Sequence, residues 1–174
     1  MNIHQINFAY IPVEDRVLFR FNTSDSAEFR LILTRAISIK VLAQLESIIR
    51  INLEREYPAI AQESLRAVGE FKRNEVIEKS DYRTPFSSSA ATYPIGEQPL
   101  LVTGLVTNVV DGALLLGFQL PTNQTLNLSL DHHLALAINK LFRDNLSAID
   151  WGIFPVEKNA SSGVEDGIGK SVVH

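Results

Sequence analysis

Two groups of residues in this 174-residue chain carry side chains that could do chemistry. The first is Asp131-His132-His133, a carboxylate followed by two imidazoles. Such groups hold divalent metals or pass protons. Adjacent residues at a helix start project about 100° apart, however, so neighbouring histidines rarely reach one ion. The plainer reading makes Asp131 a helix cap, which its place before a helical pattern fits. The second group is Arg16, Arg20, Arg30 and Arg35. Arg16 and Arg20 share one face of a predicted strand, and Arg30 the same face of the next. A row of guanidinium groups can grip phosphate or carboxylate in bidentate fashion. The competing reading is a solvated sheet face on which Glu14, Asp15 and Glu28 pair with these arginines. Single-stranded nucleic acid would also want rings on that face, and Phe19, Phe21 and Phe29 fall on the other one.

Most other chemistries have no residues to run them. There is no Cys, which removes disulfides and thiolate metal sites. His4 and His174 stand alone near the ends. Gly104, Gly112 and Gly117 fall in or beside predicted strands rather than before a helix, so no phosphate loop is formed. No Gly-x-Ser-x-Gly elbow occurs, and Ser87-Ser88-Ser89 reads as linker. No catalytic residue, metal or cofactor is therefore expected. Leu18, Ile32 and Leu115 count outward on their strands, which predicts a sheet face covered by an extra helix or by another subunit.

The elements that must position these groups follow one pattern used twice. Val13–Arg50 lies over Val110–Ser147 without a gap, at a separation of 97 residues. Val17, Phe19 and Phe21 fall on Leu114, Leu116 and Phe118, and Phe29, Leu31 and Leu33 on Leu126, Leu128 and Leu130. Both sets have the period of two that marks one strand face. Asn22-Thr23-Ser24-Asp25 and Pro121-Thr122-Asn123 between them are turn chemistry. Thr34 and Asp131 then precede a switch to helical spacing, and Val41 and Leu45 fall on Ile138 and Phe142. Extended backwards, Ile3–Ile11 falls on Leu100–Asn108, with turns at Pro12–Asp15 and Asp111-Gly112.

The expected fold is α+β, with two pseudo-repeated three-stranded antiparallel meanders each followed by a helix, plus one extra helix after the first. In order the strands are Met1–Ile11, Arg16–Asn22, Ala27–Leu33, Leu100–Val110, Ala113–Leu120 and Thr125–Leu130. A helix from Arg35 to about Tyr57 buries Ile37, Val41, Leu45 and Ile48, with Leu42, Ile49 and Leu53 beside them. Pro58 ends it. Ala59–Lys79 is the extra helix, turning Leu65, Val68 and Phe71 or Lys72 inward and Glu70 and Arg73 outward. His132–Leu146 is the last helix, with Leu134, Ile138, Leu141 and Phe142 inward, and Ile149–Pro155, which holds Trp151, packs back on the core or adds a short edge strand. Residues 1–155 form one domain of two pseudo-repeats, about 1–57 and 100–147, joined by the helix and loop of 58–99. Tyr82, Phe86 and Tyr93 would pin loop 81–99. Residues 156–174 read as a disordered tail.

Charge separates the two halves. Residues 1–87 hold 12 Lys/Arg and 12 Asp/Glu, while residues 88–174 hold 4 and 8. A formal charge of −4 argues against a general polyanion binder. The start lacks a signal-peptide pattern, and no apolar run approaches the roughly 20 residues of a membrane span. A cytoplasmic protein is expected.

The run Glu14-Asp15-Arg16-Val17-Leu18-Phe19-Arg20-Phe21-Asn22-Thr23, followed by Glu28-Phe29-Arg30-Leu31-Ile32-Leu33-Thr34-Arg35, resembles the hairpin of a family of small uncharacterised bacterial proteins. Ala36 departs from that family, which has a second Arg there. The resemblance covers about the first 50 residues and implies no activity. Asp131-His132-His133 resembles the tripeptide of the DHH phosphoesterases, without the further Asp motifs upstream that those enzymes need. The expected function is a non-enzymatic interaction module that partners protein, as a homo-oligomer or a subunit of a larger bacterial assembly. Single-stranded nucleic-acid or anion binding through the Arg face is the alternative, and a hydrolase using His132 and His133 comes third.

Overall fold

The computed structural model describes residues 2–79, 86, 90–147 and 149–152. Its strands are β1 (Ile3–Ile11), β2 (Arg16–Thr23), β3 (Glu28–Thr34), β4 (Leu100–Leu101), β5 (Gly104–Val110), β6 (Ala113–Gln119) and β7 (Thr125–Leu130). Its helices are α1 (Arg35–Glu56), α2 (Gln62–Lys79) and α3 (His132–Ser147). The fold is α+β, with two sheets of order β1-β2-β3-β4 and β5-β6-β7.

Alternation puts Val17, Phe19 and Phe21 of β2 and Leu31 and Leu33 of β3 on one buried face. In the second sheet Leu114, Leu116, Phe118, Leu128 and Leu130 do the same. Both faces, with α1 and α3, close one continuous core. Its aromatic centre crosses between the units. The Phe19 ring lies 4.6 Å from Phe8, stacked on it, and 6.1 Å from Phe118, edge on. All the apolar residues expected on the inner side of α1, from Ile37 to Leu53, are buried there.

The two strand–strand–helix units share backbone detail at positions 97 apart. β2 pairs β3 with Phe19 opposite Leu31, and β6 pairs β7 with Leu116 opposite Leu128. Thr23 N–H donates to the Ala27 carbonyl at 2.9 Å, and Leu120 N–H to the Gln124 carbonyl at 2.9 Å. Ser26 has φ 60° and Asn123 φ 59°, both in the left-handed region. Thr34 caps α1 by accepting from Ile37 N–H at 3.3 Å, and Asp131 caps α3 by accepting from Leu134 N–H at 2.8 Å.

Each helix end is clasped against the other unit. Trp151, beyond α3, donates from Nε1 to Asp15 in the β1–β2 turn and accepts at its carbonyl from Arg35 at the start of α1. Asn52, near the end of α1, donates to the Gly112 carbonyl in the β5–β6 turn and lies 3.3 Å from His132 Nδ1 at the start of α3. One clasp mirrors the other in its parts: a hairpin turn, a helix start, and the far end of the opposite helix.

Several expectations need correction. Leu100–Val110 is not one strand. Val102 N–H bonds the Ile32 carbonyl in the first sheet and Thr103 N–H the Gln119 carbonyl in the second, so the chain changes sheets between them. Leu100-Leu101 thereby becomes a parallel fourth strand on β3, and the first sheet has four strands rather than three. A Cβ at Gly104, where β5 starts, would collide with the Gln119 side chain. Ile11 faces Arg16 where Val110 faces Ala113, so the first turn is two residues longer and β1 matches β5 two places later than the ungapped overlay has it. The extra length is a 3-10 turn, Pro12–Glu14, ending in Asp15 at φ 50°.

The extra helix begins at Gln62 rather than Ala59, because Pro58 to Ala61 are spent on turning the chain. Its inner side also differs. Leu65, Gly69, Arg73 and Val76 are buried, while Phe71 is 68% exposed. Gly69 accounts for the shift: α2 crosses α1 so closely that a Cβ there would meet Leu53 Cδ1 at 3.2 Å. The inner side of α3 is broader than expected, since Ala135, Leu136, Ala137 and Asn139 are buried beside Ile138 and Phe142. Trp151 is buried as expected. Tyr82 and the stretch 156–174 lie outside the described residues. Among the described residues no helix is long and apolar enough to cross a membrane.

Candidate interaction surface

The arginine row stands where the strand spacing puts it, but its chemistry is already taken. Arg16, Arg20 and Arg30 share the outer face of the first sheet, and Arg20 stands directly opposite Arg30. Arg20 donates to Asn7 Oδ1 from Nε at 3.2 Å and from Nη2 at 2.8 Å. Arg30 donates to Glu28 Oε1 at 2.7 Å, to the Glu97 carbonyl at 2.9 Å and to Tyr93 OH at 3.3 Å. The Glu28 hydrogen bond raises the Arg30 pKa still further above its usual high value. Arg16 lies 3.5 Å from Glu14. Arg35 is not part of the row, since it sits at the start of α1 and donates to the Trp151 carbonyl.

The linker covers this face. Phe86 lies over Arg20 at 4.7 Å and Tyr93 over Arg30 at 4.6 Å. Ala27 bridges to Thr92 in parallel, and Glu28 N–H donates to the Thr92 carbonyl at 3.0 Å. Glu28, expected outside, is fully buried as a result. Its Oε2 has no partner among the described residues. Leu18 and Ile32 also lie opposite each other on this face, half-buried between Ala9 and Leu101. The extra helix, one of the two covers expected from the sequence, instead packs against α1 and α3.

The second sheet turns out a different surface. Its outer positions are Val106, Asn108 and Val110 on β5, Ala113, Leu115 and Gly117 on β6, and Thr125, Asn127 and Ser129 on β7. Val106 is 53% exposed and Val110 46%. Leu115 lies half-buried between Asn108 and Ser129. Asp111 is the only charged residue from Gln98 to Leu130. Among the described residues, Thr125, Asn127 and Ser129 are exposed on this face as well. The signal was present in Ala113, Leu115, Gly117, Thr125, Asn127 and Ser129, which alternate along two strands and carry no charge. Arginines carry the louder chemical signal, and of this quieter face the sequence reading singles out only Leu115.

Asp131 and His132 are held in separate contacts. Asp131 is occupied as the cap of α3. His132 meets Asn52 through Nδ1, and its buried Nε2 has no partner among the described residues. Burial lowers its pKa, with the nearby Lys72 charge adding to the effect. No group of three acidic, His or Cys residues able to hold a metal occurs among the described residues. A groove of about 610 Å³ between α1, α2 and α3 is lined by four arginines, among them Arg73 and Arg143, and by Glu46, Glu54 and Glu70. Arg50–Glu54, Arg73–Glu70 and Arg143–Glu46 are ion pairs at 2.9, 2.6 and 2.9 Å, so its charge is largely neutralised from within.

No family model, no curated protein and no solved structure matches the chain.

Proposed function

We propose that this chain is a non-enzymatic protein-interaction module, self-associating or serving as a subunit of a larger bacterial assembly. The observation that carries this is the contrast between the two outer sheet faces. Phe86 and Tyr93 of the linker lie across the charged face, while among the described residues the uncharged and partly apolar face keeps Val106, Val110, Thr125, Asn127 and Ser129 exposed. A sheet surface without charge is a poor solvent face and a good protein contact. A cytoplasmic setting belongs to the same proposal.

The test is capture from extract with the purified chain as bait. Val106→Lys with Leu115→Lys should abolish specific capture, while Phe71→Lys, on the exposed side of α2, should leave it intact. Equal capture by these two variants would refute the assignment of the face.

We also propose that the two units are one folding unit used twice. Matching registers, matching hairpin bonds, the paired φ angles of Ser26 and Asn123, and the equivalent caps support this. The second functional reading is anion or single-stranded nucleic-acid binding on the arginine face. It draws on Arg20 opposite Arg30 with rings against both, since like charges across strands are unfavourable unless something answers them. A gel shift lost in Arg16→Ala with Arg20→Ala would support it, and no shift at low salt would end it.

A further inference from the structure

The two sheets differ at one edge. In the first, the outer edge of β3 is occupied. Leu31 and Ile32 pair with β4, Val102 N–H reaches the Ile32 carbonyl, and Glu28 N–H reaches the Thr92 carbonyl. The corresponding strand of the second sheet is β7, and it ends that sheet. Leu120 N–H closes the hairpin onto the Gln124 carbonyl, so strand alternation turns the backbone of Thr125, Asn127 and Ser129 away from β6. No described residue pairs with that side of β7, and the three side chains are exposed. Natural sheet edges are usually blunted by Lys, Pro or a bulge. Thr125–Leu130 has none of these: its register with β6 is unbroken and its sequence is TLNLSL.

We infer that the free edge of β7 is a self-association site, and that its occupant is β7 of a second copy, running antiparallel. Three features of the strand select this partner. The first is register. With Asn127 opposite the same residue of the second copy, Thr125 meets that copy's Ser129, and every outward N–H and carbonyl of these residues finds its mate in a hydrogen-bonded pair. The second is side-chain symmetry. Thr, Asn and Ser at alternate positions read nearly the same in both directions, and Thr–Ser pairs across strands are favourable. The third is charge. A chain of net charge −4 meeting itself must keep its acids away from the contact, and Asp111 is the only charged residue from Gln98 to Leu130. Pairing would join the two uncharged outer faces into one surface twice as wide. The other edge of this sheet, β5, is less discriminating, because its counterpart β1 is an edge strand as well. This inference rests on the interaction-module reading and names one partner for it.

The test is sedimentation equilibrium on the full chain, with melting curves run alongside. The wild type should be a dimer in the micromolar range. Asn127→Lys and Asn127→Glu should each weaken the dimer at least tenfold with an unchanged melting temperature at dilutions where every chain is a monomer, since the side chain is exposed in the single copy. An equimolar mixture of the two should recover the dimer, because Lys then faces Glu. A dimer indifferent to both substitutions would overturn the assignment of the edge. A wild type that stays monomeric to about 1 mM would overturn self-pairing altogether. Neither result touches the capture experiment, which can still succeed with a different partner. Should either variant melt early, Thr125→Lys paired with Ser129→Glu puts the same opposite charges at the ends of the register. In that double variant Lys faces Glu of the second copy, and the dimer should be retained or strengthened; dissociation would count against the register.

Discussion

Glu46 on α1 and Arg143 on α3 form an ion pair at 2.9 Å, and they are 97 residues apart. That is the separation that carries Thr34 onto Asp131 and Ser26 onto Asn123. Two positions exchanged by a two-fold rotation can touch only near its axis, so under the proposed duplication this pair stands beside it. Both side chains are partly exposed, at 45% and 33%, so the pair contributes only about 0.2–1 kcal/mol. Arg143→Ala should cost more than Glu46→Ala, because Arg143 also lies 3.6 Å from Glu70. Urea unfolding of both variants and the double mutant measures the coupling, and a larger loss from Glu46→Ala would contradict this.

Asn139 is fully buried in α3, and neither atom of its amide has a hydrogen-bond partner among the described residues. Under the proposed duplication its counterpart in α1 is Leu42, buried and apolar. Leaving a polar group unsatisfied costs about 1–3 kcal/mol. Asn139→Leu should therefore stabilise the fold by an amount of that order, read as a raised urea midpoint at constant slope. A lowered midpoint would mean that the amide has a partner the fold depends on.

Thr34 and Asp131 do the same work at the two helix starts, each accepting from the N–H three residues on. Thr34→Ala and Asp131→Ala should each destabilise by about 0.5–2 kcal/mol, and Asp131→Asn by less, since Asn caps as well. Thermal melts of the three variants decide the matter. Equal losses from Asp131→Ala and Asp131→Asn would show that the charge, not the cap, is what matters there.

His132 supplies a pH dependence. Its folded pKa lies below the ordinary 6.5, so below that value the unfolded chain takes up a proton that the folded chain resists. Its contribution to stability is therefore complete above pH 6.5 and declines as the pH falls from there toward the folded value. His132→Asn should flatten the slope of stability against pH in this window and leave the slope above about pH 7 unchanged. An equally steep slope in the variant would assign the acid sensitivity to other groups.

Much of the architecture was legible because it rests on alternation. Val17, Phe19 and Phe21 at period two can only be a strand with one buried side, and the α1 stripe from Ile37 to Leu53 can only be a helix on a core. What escaped was set by contacts distant in sequence. Nothing local announces that Leu100-Leu101 pairs with β3 while Gly104 opens another sheet, for the break follows from which carbonyl each N–H finds. The inner side of α2 was misread for a similar reason. Phe71 is the natural choice by hydropathy, but the small Gly69 decides which side can approach Leu53. Arg16, Arg20 and Arg30 were placed on the right face, and Arg35 was not. Their saturation could not be seen, because Asn7, Glu97, Phe86 and Tyr93 come from separate stretches of the chain.

The bond from Trp151 to Asp15 spans 136 residues. Asp15 leaves the ribosome well before Trp151, so the first clasp cannot close until the chain has been made through Trp151. Until then Phe8, which packs on Phe142 with ring centres 4.2 Å apart, has no lid. The nascent first half must wait with Phe8 and Phe19 uncovered on the side that Phe142 and Phe118 later take, and contacts of such long range also slow folding once the chain is free.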